Sequence, residues 1–245
     1  MMRVSFPEQV TSEADLGYMQ DRRVSVVLNK GSDVSTVTTD ADGVTWITGY
    51  TTANHGSVPA NFKSYFAIGI YGGADGNKPT GLPIKTHADN TWAYVDLSAT
   101  NPINSLITLR VGTSLISPEQ AMTSLQNEVG TDKSFESIVA ASKAQWNAQL
   151  SKIEVAELGP GYTPSEGEGQ KTTFYSALYR ASIFPRQLTE IDATGQEVHW
   201  SPYDGEGQVY PGPLSTDSGV CVCVCVCVCV CVFVCRLPNY TDGDF

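Results

Sequence analysis

Arg110-Val111-Gly112-Thr113-Ser114-Leu115-Ile116-Ser117-Pro118-Glu119-Gln120-Ala121 is where one structural period gives way to another. Up to Ser114 the chain is rich in the β-branched and aromatic residues that favour strands. At Ser117 a helix begins: Ser117 reads as the N-cap, Pro118 as N1, and Gln120 at N3 as the closing member of a capping box. The helix is predicted to run to about Val129 and to stop at Gly130, the C′ residue.

Ahead of this stretch, residues 1–115 read as an antiparallel β domain. Strands are predicted at 23–28, 34–39, 44–50, 63–71, 91–96 and 106–114. Asp40-Ala41-Asp42-Gly43 carries hairpin chemistry, and Gly72-Gly73-Ala74-Asp75-Gly76-Asn77-Lys78-Pro79 is a longer loop of the same kind. Short strands at this spacing, with no helical pattern between them, predict a β-sandwich and not a parallel sheet.

Behind it, Ser134 reads as the cap of a second helix. Its apolar residues Phe135, Ile138, Val139, Trp146, Leu150 and Ile153 recur at three- and four-residue steps. Residues 159–169, rich in Gly and Glu, are predicted as a linker. A third helix is expected over 170–184, ending before Pro185. Residues 188–219 lack clear periodicity, and a structureless stretch of that length is uncommon inside a complete domain.

The chain has 245 residues, 41% of them hydrophobic and 17% charged, which suits a globular protein. A net charge of −11 with scattered acids argues against nucleic-acid or anionic-membrane binding, which want basic patches. Met1-Met2-Arg3 leads straight into Val4-Ser5-Phe6-Pro7 with no apolar core of a signal peptide. That start is expected of a cytosolic protein or of an incomplete amino terminus.

All seven cysteines lie between Cys221 and Cys235, in a Val-Cys alternation. In an extended strand they would line one face, with no turn to gather thiolates around zinc. The run is too short for a membrane helix, which needs ~20 apolar residues, and its β-branched valines favour extended structure. It reads as an aggregation hazard. Because a GTGTGT repeat encodes Val-Cys in every frame, the run is expected to be translated repeat or intron DNA. The authentic coding sequence would then end near Gly219, and the chain would be a truncated gene model. The one glycosylation sequon, Asn239-Tyr240-Thr241, lies in this tail and carries no weight on compartment.

Few residues form constellations with chemical meaning. His55, His87 and His199 have no metal-ligand spacing. Asp15, Asp21, Asp40, Asp42 and Asp75 fall in predicted turns, and no calcium-loop spacing is present. There is no phosphate loop and no nucleophile elbow. His199-Trp200, predicted in a loop, suits either a sugar platform or simple packing of that loop. Glu190, Asp192, Asp204, Glu206 and Asp217 are the carboxylates worth naming, because paired carboxyls hydrolyse glycosides. Each is equally readable as a solvated or capping group.

Three segments in order carry a resemblance: Arg110 to Ala121 as quoted above, then Ala144-Gln145-Trp146-Asn147-Ala148-Gln149-Leu150, then Phe174-Tyr175-Ser176-Ala177-Leu178-Tyr179-Arg180-Ala181-Ser182-Ile183-Phe184-Pro185-Arg186. With the loop from Asp204-Gly205 to Leu214-Ser215-Thr216-Asp217-Ser218-Gly219, they resemble the glycoside hydrolase family 92 α-mannosidases. The resemblance implies a galactose-mutarotase-like β-sandwich over 1–115, incomplete at its start, and a helical linker over 116–158. It implies the beginning of an (α/α)6 barrel over 159–219, followed by the aberrant tail at 220–245. It also implies calcium-dependent, inverting exo-mannosidase activity on mannose-containing glycans, in an extracellular or secretory setting for the full-length family. The family's general acid, general base and most calcium ligands lie in the barrel beyond Gly219, so no catalytic residue and no metal ligand is carried onto this chain. Thr216 and Asp217 correspond to a loop near the substrate and are the substrate-binding candidates. The chain is expected to be inactive alone; a non-catalytic carbohydrate-binding β-sandwich, or a purely structural β domain, are the alternatives.

Overall fold

A computed structural model describes residues 1–5, 23–28, 33–37, 40–53, 60–72, 78–86, 90–96, 106–130, 132–156, 163–183, 188–201, 208–212, 223–226 and 230–233. In chain order the elements are β1 (Met2–Ser5), β2 (Arg23–Val27), β3 (Asp33–Val37), β4 (Thr45–Thr51), β5 (Ser64–Gly72), β6 (Lys78–Pro79), β7 (Ile84–Thr86), β8 (Trp92–Asp96) and β9 (Leu106–Ser114). Then come α1 (Pro118–Glu128), α2 (Phe135–Leu150), α3 (Pro164–Ser182), β10 (Glu190–Ile191), β11 (Glu197–Ser201), β12 (Gln208–Pro211), β13 (Cys223–Val226) and β14 (Val230–Phe233). They form two compact units, one of residues 1–140 and 190–212, the other of residues 141–189 and 213–245.

The first unit is built on an antiparallel sheet ordered β1-β9-β5-β4-β3, with β6 paired to β5. Side chains alternate across this sheet, as the two-residue strand period requires. Ile47, Phe66, Ile70 and Ile107 face a second antiparallel sheet, β2-β8-β7, whose Ala93 and Val95 complete one apolar core. Trp46, Ala67 and Tyr71 face the other way and pack with Ala121 and Leu125 of α1. The central sheet is therefore covered on both sides, and its middle strand β5 carries an unbroken run of apolar and aromatic residues and Gly from Tyr65 to Gly72. The six predicted strands all form, with ends within two residues of those expected. Asp40 does what a turn aspartate does: its Oδ1 accepts from the Asp42 and Val44 amides at 3.0 and 2.9 Å. Its Oδ2 accepts from Trp46 Nε1 at 2.6 Å, which fixes the indole against the sheet.

Helix α1 begins and ends as its sequence predicts. Ser117 Oγ accepts from the Gln120 amide at 3.1 Å, and Gly130, at φ 66°, closes the last turn. The capping box does not close. Gln120 Nε2 instead donates to the Ile191 carbonyl at 2.7 Å, because β10 lies alongside and offers that acceptor. Gly112 allows the close approach of α1 to β9: a Cβ there would stand 2.8 Å from Leu125 Cβ. Arg110, 1% exposed, reaches from β9 to the carbonyls of Gly130 and Lys133 and so holds the turn after α1. Its guanidinium carbon lies 4.5 Å from the centre of the Tyr71 ring. Burial away from water pushes the Tyr71 phenol up. Ser134 caps α2 by accepting from the Ser137 amide at 3.1 Å. Arg3 of β1 pairs with Glu136 and lies over the Phe135 ring at 4.4 Å, tying the first strand to the start of α2.

Two expectations are corrected. Residues 164–169 are not linker but the first turns of α3, which starts at Pro164. Thr163 Oγ1 accepts from the Glu166 amide at 3.3 Å and the Glu166 carboxylate accepts from the Thr163 amide at 2.8 Å, a closed capping box. With Pro164 at N1, these contacts outweigh Gly167 and Gly169, which cost about 1 kcal/mol each relative to Ala. Nor is the stretch after Leu188 structureless where it is described, residues 202–207 and 213–219 lying outside the described residues: Glu190–Ile191, Glu197–Ser201 and Gln208–Pro211 form the antiparallel sheet β10-β11-β12. Its first turn is held by Asp192 Oδ1, which accepts from the Thr194 and Gln196 amides at 2.8 and 2.9 Å, with Gly195 at φ 83°. The strands are too short to show a period, and docking supplies what propensity does not.

In the second unit, α3 carries an aromatic seam. Trp146 and Tyr179 have ring centres 4.5 Å apart. The Tyr175 hydroxyl accepts from the Val155 amide at 3.3 Å and donates to the Ile153 carbonyl at 3.1 Å. The Val-Cys run contributes the antiparallel hairpin β13–β14, with Cys225 opposite Cys231. Among the described residues, no helix is long and apolar enough to cross a membrane.

Candidate functional site

Chemistry-bearing side chains gather at three places. The first is the junction of β9, α1 and β10. The Glu190 carboxylate accepts from the Ser114 hydroxyl at 2.6 Å and from the Leu115 amide at 2.7 Å. The Ser114 hydroxyl oxygen in turn accepts from the Ile116 amide at 2.8 Å. Glu190 and Gln120 thus anchor the small sheet to the strand-to-helix corner. No sequence signal ties Glu190 to Ser114, since the two are 76 residues apart.

The second place is the β11–β12 ladder, where His199 pairs with Tyr210 and Trp200 with Val209. His199-Trp200 stands on a strand and not in the predicted loop. The His199 ring stacks on Tyr210 with centroids 5.7 Å apart, and its Nδ1 lies 3.0 Å from the Gly212 carbonyl oxygen. Trp200 meets Phe62 edge to face at 6.3 Å, half-buried. Trp200 therefore packs one part of the first unit against another, which is the packing reading of this pair.

The third is a cleft of about 740 Å³ in the second unit, lined among others by Leu150, Glu168, Lys171, Tyr175, Tyr179 and Arg180. Two phenol rings with an acid and two bases give it both stacking and hydrogen-bonding surfaces. Part of this lining is already engaged: Tyr175 holds residues 153 and 155, and Lys171 Nζ donates to the Ala156 carbonyl at 3.3 Å.

Of the carboxylates singled out in the sequence, Glu190 and Asp192 are both committed to structural hydrogen bonds. The Thr194 hydroxyl, then the Gln196 amide, hold the Asp192 carboxyl below the usual range. A group so held is a fixed acceptor and a poor proton donor. Asp204, Glu206, Thr216 and Asp217 lie outside the described residues, as do His55, His87, Asp15, Asp21 and Asp75. Among the described residues, no three His, Cys, Asp or Glu side chains are grouped to hold a metal ion.

Residues 120–215 match the glycosyl hydrolase family 92 catalytic domain. The fold is similar to that of the family GH92 inverting mannosidase BT2199 from Bacteroides thetaiotaomicron, with a TM-score of 0.61 and 30% identity over 81% of this chain. It also resembles the GH92 family glycosyl hydrolase ccman5, with a TM-score of 0.50 and 22% identity over 78% of this chain. The chain covers 26% of the first of these proteins and 24% of the second, about a quarter of each. No curated protein shows significant similarity to it.

Proposed function

Because the chain belongs to glycosyl hydrolase family 92, of whose mannosidase it spans about a quarter, we propose that it is a section of a glycoside hydrolase that acts on mannose-containing glycans. The observation that carries this reading is the 30% identity to an inverting mannosidase, sustained over 81% of the chain. In this reading residues 1–115 are a galactose-mutarotase-like sandwich, 116–158 a helical linker, and 159–219 the beginning of an (α/α)6 barrel. Thr216 and Asp217 are its candidate substrate contacts.

Inversion at a sugar centre requires two carboxyls ~6.5–9.5 Å apart, one donating a proton and one activating water. Glu190 and Asp192 are unsuited to either role, since each already accepts hydrogen bonds that fix a neighbouring backbone. The acid and base are assigned to the part of the protein that this chain does not span, and the chain alone is inactive. Among the described residues no group of carboxylates is gathered to hold calcium. What this chain contributes is position: Glu190, Gln120 and Trp200 seat part of the family's catalytic-domain segment on the sheets.

Two measurements test this. The purified chain, with and without calcium, should release no mannose from an aryl α-mannoside; turnover would overturn the claim of inactivity. The full reading frame, recovered by sequencing the transcript, should release mannose with inverted anomeric configuration, followed by NMR. Release of a different sugar would overturn the substrate assignment.

A further inference from the structure

We propose that the cleft along α3 is an interface between two copies of this chain, which pack antiparallel through the ridge of Glu168, Thr172, Ser176 and Arg180. These residues recur at four-residue steps, so they stand one above another on one side of the helix. All four are exposed, and all four line the cleft of about 740 Å³. Thr172 and Ser176 in the middle are small, which opens a groove between the longer residues at either end. Lys171, Tyr175 and Tyr179 form the adjacent row and the other wall. Tyr179 is 41% exposed even with its ring against Trp146, so it offers surface for a partner to cover.

The order of residues along the ridge identifies that partner. An anion stands at one end and a cation at the other, about 18 Å apart at the helical rise. An antiparallel copy of the same ridge sets Glu168 against Arg180 of the second copy and Thr172 against its Ser176. The two-fold axis then repeats both pairs, which is the self-complementarity that such an interface requires. Ridges of this kind interdigitate side by side, with helix axes crossed at roughly −50°. A parallel copy would bring Glu168 onto Glu168 and Arg180 onto Arg180, so charge selects the antiparallel arrangement. The exposed ion pairs fix register and orientation, while covering Leu150 and the phenol rings supplies the affinity. This pairing depends on α3 alone and not on the sugar that the full protein cleaves.

The test is sedimentation velocity of the full chain across a concentration series with reductant present. A monomer–dimer equilibrium is expected for the wild-type chain. Glu168→Arg sets Arg against Arg at both ends, and Arg180→Glu sets Glu against Glu. Each alone should weaken dimerisation at least about tenfold. Mixed in equal amounts, the two variants should dimerise with each other, because every contact is again between opposite charges. Recovery in the mixture also excludes misfolding of either variant as the cause of the loss. A wild-type chain monomeric throughout would overturn the proposal. So would unchanged association of either single variant, which would move the interface elsewhere, or a mixture that stays monomeric.

Discussion

The Ser114 hydroxyl donates to the Glu190 carboxylate at 2.6 Å, joining the last strand of the central sheet to a sheet that forms only after three helices. Glu190→Ala leaves the Leu115 amide and the Ser114 hydroxyl without their acceptor. Charge-assisted bonds of this kind contribute about 1.5–3 kcal/mol, and Glu190→Gln should recover part of that. Urea unfolding followed by tryptophan fluorescence measures it. An unchanged midpoint for Glu190→Ala would remove this contact from the account of how the small sheet is held.

Gly112 faces α1 with no room for a side chain. In Gly112→Ala the new Cβ would collide with the Ala121 carbonyl oxygen and stand 2.8 Å from Leu125 Cβ, so α1 must lift from β9. Overpacking of this sort costs about 1–3 kcal/mol. Leu125→Ala keeps the Cβ and leaves the Ala121 carbonyl in place, so adding it should not rescue the Gly112→Ala variant. Thermal unfolding decides the matter; a Gly112→Ala midpoint equal to that of the wild-type chain would count against the clash.

Arg110 is buried and bonded to two backbone carbonyls after α1. Arg110→Met removes both bonds, strands the carbonyls, and should cost about 3 kcal/mol. Arg110→Lys should rescue little, because one ammonium cannot reproduce the planar fork. Faster amide exchange at residues 128–133 in both variants, without change in α3, is the expected signature.

Acid should loosen two named turns. The Thr163 amide and hydroxyl hold the Glu166 carboxyl below its ordinary range, and Thr194 and Gln196 do the same for Asp192. A depressed carboxyl stabilises the fold above its unfolded pKa, near 4, and that contribution is lost as pH falls through the folded value. Amide protection factors, exchange corrected for its intrinsic pH dependence, should therefore fall at residues 164–170 and 192–197 below about pH 4 and be flat above about pH 5. Glu166→Gln should abolish the acid response of the first segment only.

The strands of the central sheet were legible because buried β-branched runs leave few other solutions, and α1 because Ser117-Pro118 and Gly130 mark both its ends. The start of α3 was equally written, in Thr163-Pro164-Ser165-Glu166, but two glycines masked a cap that only the reciprocal hydrogen bonds reveal. The sheet β10-β11-β12 was not legible. Its strands are two to five residues long, and partners such as Ser114, Gln120 and Phe62 are remote in sequence. For the same reason the aromatic pair His199-Trp200 was visible as composition, while its place on a strand against Phe62 was not. Thr216 and Asp217 came from resemblance and lie outside the described residues.

The first compact unit is discontinuous: residues 190–212 return to it after an excursion through 141–189. On a ribosome, the sheet-and-helix portion emerges with the Ser114–Leu115 corner lacking Glu190 and the Gln120 amide lacking its Ile191 acceptor. It waits in that state until the returning strands are made. Completion thus depends on closing a long loop, a slow and late event that leaves the corner open to misassembly while synthesis continues. A stop codon between residues 140 and 190 would release a nascent chain whose first two sheets and α1 are made but whose unit cannot be finished.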